Sequence, residues 1–91
     1  MEKVLWYLFV GMRGGANRVR IIRALAERPH NANQLSTELD VDYNTVRHHL
    51  DMLIEHGIVE PGGEGYGALY FLTDQFEHHW DAFERITDQM E

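Results

Sequence analysis

Residues 31–57 run NANQLSTELDVDYNTVRHHLDMLIEHG, two short amphipathic segments in close succession. Asn31 followed three residues later by Gln34 fits the reciprocal logic of a capping box, which predicts a helix over Ala32–Leu39 with Leu35 and Leu39 inward. Asp40-Val41 is a tight link, and Asp42 can accept from the free backbone donors at Asn44 or Thr45. A second helix is therefore expected from Tyr43 to His56, ended by Gly57 in the left-handed conformation. Two short helices joined by a turn of this length have the spacing of a helix-turn-helix.

The faces of the second helix separate at about 100° per residue. Val46, Leu50 and Leu53 fall together and are expected to pack on Ile22, Leu25, Leu35 and Leu39. The opposite face presents Asn44, Arg47, His48 and Asp51, flanked by Tyr43 and Thr45. That set suits base reading: Asn pairs bidentately with adenine, Arg with guanine, and Thr contacts a thymine methyl. Tyr43 and the free amides of the first turn can hold phosphate. Asn33 and Gln34 on the first motif helix and Arg18 ahead of it complete the candidate DNA contacts. Arg13, Arg18, Arg20 and Arg23 crowd the approach, where a helix straddling the DNA backbone needs cations; Arg18, at the helix start, is the expected phosphate contact, while Arg20 and Arg23 read equally well as a solvated face.

Upstream, Val4–Val10 (VLWYLFV) anchors a helix from Lys3 to Met12, interrupted by Gly11, Gly14 and Gly15. Asn17 is a plausible N-cap for a helix over Arg18–Arg28 with Val19, Ile22, Leu25 and Ala26 on one face, and Pro29 ends it. Downstream the period becomes extended: Ile58 to Glu60, a glycine-rich tip PGGEGYG over 61–67, then Ala68 to Thr73, which reads as a hairpin. Thr73 caps a last helix, Asp74 to Met90, in which Phe76, Trp80, Phe83, Thr87 and Met90 recur at helical spacing. The expected fold class is mainly α with a small β-hairpin: a winged helix-turn-helix over 16–73 with extra N-terminal (1–15) and C-terminal (74–91) helices, all in one domain.

A chain of 91 residues builds one modest core, so dimerisation is a natural source of added stability. With 44% hydrophobic and 25% charged residues the composition is that of a folded globular protein. The absence of cysteine excludes disulfides, thiolate metal sites and cysteine nucleophiles. The longest apolar run is far short of the roughly 20 residues that span a bilayer, and no signal-peptide pattern precedes it, so no membrane partner and a cytoplasmic location are expected. The net charge of −7 has the wrong sign for a DNA partner, but it is unevenly placed. Residues 1–50 hold seven basic and five acidic side chains, whereas 51–91 hold Arg85 against ten acids.

The stretch ANRVRIIRALAERPHNANQLSTELDVDYNTVRHHLDMLIEHGIVEP resembles the ArsR-type winged helix regulators of bacteria and archaea. The matching elements are Arg18–Leu25, Gln34–Leu39, Val46–Leu53, Gly57–Val59 and the returning wing strand Gly67–Thr73, so the likeness spans roughly residues 16 to 74. The leading VLWYLFVGMRGGANR and the acidic, lysine-poor composition look most like haloarchaeal members, where molar salt shortens the Debye length to about 3 Å and makes a net acidic DNA binder tolerable. The resemblance implies DNA-reading residues at Tyr43, Asn44, Thr45, Arg47 and His48, with the family's usual Ser replaced by Arg47 and its usual Arg or Lys by His48. His49 takes the family's recurrent His, at the edge of the buried face, where a structural hydrogen bond is expected. The wing departs from the pattern: Glu64 stands where a basic tip is usual, leaving Tyr66 as the expected wing contact.

The residues Leu5, Trp6, Leu8, Phe9, Phe76, Trp80 and Phe83 exceed what a small four-helix core is expected to cover, which points to a homodimer interface; completion of the monomer core is the alternative. Dimerisation would set two recognition helices about 34 Å apart, one turn of B-DNA. The expected function is a sequence-specific DNA-binding regulator, a repressor acting as a homodimer on double-stranded DNA. A protein-binding winged helix adaptor is the rival. His78, His79, Asp81 and Glu84 invite a metal-sensor reading, but convergent ligands are lacking, so no metal or cofactor is expected. Nothing resembles a catalytic constellation, and no enzyme activity is expected.

Overall fold

The computed structural model describes residues 1–63 and 67–90, Met90 by its backbone alone. Glu64 and Tyr66 of the expected wing tip, and the Met90 side chain, lie outside the described residues. The chain opens with α1 (Glu2–Trp6), continued by a π-helical turn (Tyr7–Gly11), followed by α2 (Gly15–Glu27), α3 (Ala32–Leu39) and α4 (Tyr43–Glu55). Strands β1 (Val59–Gly62) and β2 (Leu69–Leu72) form an antiparallel hairpin in which Val59 faces Leu72 and Pro61 faces Tyr70. Two helices, α5 (Asp74–Glu77) and α6 (Trp80–Thr87), and a 3-10 turn (Asp88–Met90) close the chain. This is a winged helix-turn-helix with added terminal helices, as the sequence predicts.

Local chemistry sets the central helices. Asn31 Oδ1 accepts from the Gln34 amide at 2.7 Å while the Asn31 amide donates to Gln34 Oε1 at 2.8 Å, a complete capping box. The left-handed Gly57 follows α4 and stops it. Arg28 is extended, as a residue before proline prefers, so α2 ends at Glu27. The link that follows joins the wing: the Tyr70 amide donates to the His30 carbonyl at 2.8 Å, tying the α2–α3 connection to β2.

Two helix boundaries differ from expectation. Helix α2 starts at Gly15, not Arg18, and Asn17 is an internal residue whose Oδ1 accepts from Arg20. Its start rests on tertiary contact: a Cβ on Gly15 would lie 2.2 Å from the Phe9 carbonyl oxygen, so only glycine lets α2 abut the π turn. The buried face of α2 carries Ile21, Ile22, Ala24 and Leu25, while Ala26 is exposed and Val19 half-buried. The last helix is broken at His78-His79, where the His79 amide donates to the Phe76 carbonyl at 2.8 Å, a tightened turn, before α6 begins.

The core corrects the interface expectation. Leu5, Leu8, Phe9, Phe76 and Phe83 are all buried within the single chain. Phe83 meets Phe9 and Phe76 edge-on at 5.2 and 5.5 Å between ring centres, so the terminal helices complete the monomer core. Trp80 is half-buried beside Phe83, and of the seven expected interface residues Trp6 remains exposed, together with its neighbours Tyr7 and Val10.

Candidate nucleic-acid interface

Helix α4 is held on one side and open on the other. Val46, Leu50 and Leu53 are fully buried, while Asn44, Thr45, His48 and Asp51 are exposed and Tyr43 and Arg47 are half-buried. The exposed set lies on the outer side of a helix fixed by its own core residues and cap, which gives it a defined orientation. Asn33 and Gln34 are exposed on α3, with Gln34 engaged in the capping box.

Arg47 leans toward the wing. A hydrogen bond to Tyr43, and then the neighbouring Tyr70 of β2, raise its pKa and fix the guanidinium in its charged form. Its Nε is buried without a hydrogen-bond partner, which leaves one donor of the fork unspent.

Two first-turn amides of α4 are already taken. Asp42 Oδ2 accepts from the Asn44 amide at 3.0 Å and from the Thr45 amide at 3.4 Å. A carboxylate in that position occupies two of the donors that phosphate would use and repels its charge, which opposes the expected phosphate cradle at this helix end.

The basic approach is also largely spent. Arg18 is 1% exposed and donates inward to the carbonyls of Leu8 and Arg13 at 2.7 and 2.9 Å, which removes it from the DNA-contact set. Arg20 donates to the Leu39 carbonyl at 2.6 Å, and Arg28 pairs with Glu38 at 2.5 Å. Arg23 forks onto both oxygens of Glu84 at 2.8 and 3.1 Å while lying over Phe83. That bond to Arg23 holds the Glu84 carboxyl below the usual carboxylate range, so this carboxylate of the suggested metal cluster is otherwise engaged. Among the described residues no three His or carboxylate groups converge on a common point. Arg13 stays exposed on the N-terminal side.

Sequence reasoning missed the buried role of Arg18. The signal available was the pair Gly14-Gly15 just before it, which allows the close approach that a buried cation with main-chain partners requires. It also left His30 unread: the ring is buried, with Nδ1 bonded to the Arg28 carbonyl at 2.8 Å and Nε2 paired with Glu38.

Residues 16–60 match the family described as "Bacterial regulatory protein, arsR family". That stretch, just under half of the chain, is similar to the family's helix-turn-helix domain. That family is one of DNA-binding transcription regulators, and the matched residues run from the start of α2 through α4 into β1. Among solved structures, AbfR of Staphylococcus epidermidis superposes with a TM-score of 0.73 at 21% identity over 99% of this chain. The chain spans 61% of the length of AbfR. Reduced HlyU from Vibrio cholerae gives a TM-score of 0.67 at 19% identity, covering 93% of this chain and 81% of that one. Rv0081 of M. tuberculosis gives 0.68 at 18% identity, covering 98% and 93%. At these identities the likeness shows the fold, including the terminal helices outside the matched domain. No curated protein matches the sequence. Among the described residues no helix is long and apolar enough to cross a membrane.

Proposed function

We propose that the protein is a homodimeric, sequence-specific DNA-binding regulator that inserts α4 into the major groove and represses by occupying promoter DNA. The observation that carries this reading is the outer face of α4: Asn44, Thr45 and His48 stand open to solvent beside Arg47, on a helix whose inner face is fully buried. Asn44 and Arg47 supply donor patterns that match adenine and guanine edges. Residues 16–73 form the reading unit, the flanking segments 1–15 and 74–91 brace it, and the first of them brings two copies together.

The dimer contact is assigned to the N-terminal segment. Trp6, Tyr7 and Val10 are 40, 53 and 45% exposed on consecutive turns, a grouping of large apolar side chains that a second copy would cover. A two-fold pairing there would present both copies of α4 on one side of the duplex.

The internal engagement of Arg18, Arg20, Arg23 and Arg28 favours a second reading, in which the acidic surface binds a protein partner. Titration into a labelled duplex of the chain's own promoter, from moderate to molar salt, separates the two; the molar end suits a halophilic source. In the first reading Arg47→Ala weakens binding to the preferred duplex more than to random DNA. Equal affinity of wild type and the Asn44→Ala, Arg47→Ala double variant for that duplex would favour the second.

A further inference from the structure

Arg18 is a buried cation that, among the described residues, has no carboxylate partner. Its Nε donates to the Leu8 carbonyl at 2.7 Å and its second terminal nitrogen to the carbonyls of Arg13 and Met12 at 2.9 and 3.5 Å. The remaining terminal nitrogen lies 3.1 Å from Nδ1 of His49, in the middle of α4. A guanidinium has donors only, so Nδ1 must offer a lone pair, the ring proton sits on Nε2, and His49 is neutral. Protonated, the same ring would set a cation and an N–H against the guanidinium.

The bond joins two parts of the molecule that matter to DNA reading. On one side are the π turn and the residue 12–13 link, which continue the segment bearing Trp6, Tyr7 and Val10. On the other is the helix bearing Arg47 and His48. Gly14 makes the contact possible: with φ of +88°, a Cβ there would lie 2.9 Å from His49 Cε1 and 3.1 Å from the guanidinium. No side chain fits between the two.

We propose that Arg18 and His49 are positioning residues for DNA reading: their bond sets the N-terminal segment against the recognition helix, and it holds only while His49 is neutral. This rests on the DNA-binding reading above. The charged groups around the ring act in one direction. Arg18 faces it from α2, His48 stands beside it on α4 with ring centres 5.8 Å apart, and Tyr7 of the π turn acts on Arg18. Burial first, then Arg18 and His48, hold the His49 imidazole below the usual histidine range. Acidification therefore opposes the joint through His49.

The test is fluorescence anisotropy with the promoter duplex from about pH 7.5 down to the lowest pH at which the fold persists, because His49 is held below the ordinary histidine pKa of about 6.5. On acidification wild type is expected to lose about tenfold in affinity relative to His49→Asn, the equivalent of one pKa unit of linkage. His49→Asn keeps an acceptor oxygen near the Nδ1 position throughout, so it should match wild type at the upper pH and bind more tightly than wild type at the lower. His49→Leu, with no acceptor, should bind weakly at both. Identical pH profiles for wild type and His49→Asn, or full affinity in His49→Leu, would overturn the proposal. If wild type binds no duplex at either pH, the DNA reading fails on its own, and thermal unfolding then tests the joint. The wild-type Tm should fall with acid more steeply than that of His49→Asn; parallel falls would refute the bond.

Discussion

Helix α4 and the two terminal segments are all amphipathic, yet they use their faces differently. In α4 the apolar stripe is buried and the polar face is left to a partner; in the terminal segments the apolar stripes meet each other, and Trp6, Tyr7 and Val10 remain outside. The lesson is that periodicity tells which face is apolar but not what covers it. A helix against a preformed core has one solution, whereas two apolar helices can cover each other or a second copy.

The sharpest way to break that comparison is Phe83→Ala. With Phe9 and Phe76 packed edge-on against it, truncation should cost about 3–5 kcal/mol of monomer stability in denaturant unfolding. A variant that stays as stable as wild type and merely dissociates would return Phe83 to an interface. Next in size, Arg47→Ala should cost about 1–3 kcal/mol of discrimination for the preferred duplex and no more than about 1 kcal/mol of stability from its lost bond to Tyr43, the former read by anisotropy against a random competitor. Asn31→Ala removes the capping box of α3 and should lower stability by about 1 kcal/mol in the same unfolding assay. The smallest effect on monomer stability, within about 0.5 kcal/mol, is expected for Trp6→Ala. That variant should instead shift the monomer–dimer balance in sedimentation, and an unchanged assembly would move the dimer contact elsewhere.

The helix-turn-helix was legible almost residue by residue because its boundaries are written in local chemistry. Asn31, Gln34, Asp42 and Thr73 each cap through a side chain close in sequence, and each bond is present. Helix α2 was placed three residues late because its start depends on Gly15 meeting the Phe9 backbone, a contact between segments that no local pattern encodes. Arg18 was misread for the same reason: an arginine near a helix start looks solvated until the π turn folds over it. The polar face of α4 followed from helical spacing, whereas the hold of Asp42 on two first-turn amides shows a cap and an anion site competing for the same donors.

The most direct test is an amide-resolved NMR titration of the chain with its own promoter duplex. If α4 reads DNA, shifts and broadening should centre on residues 43–51 and the adjoining wing strand, with exchange protection of the exposed Asn44 side-chain amide. Saturating DNA that perturbs other surfaces while leaving residues 43–51 unchanged would contradict it.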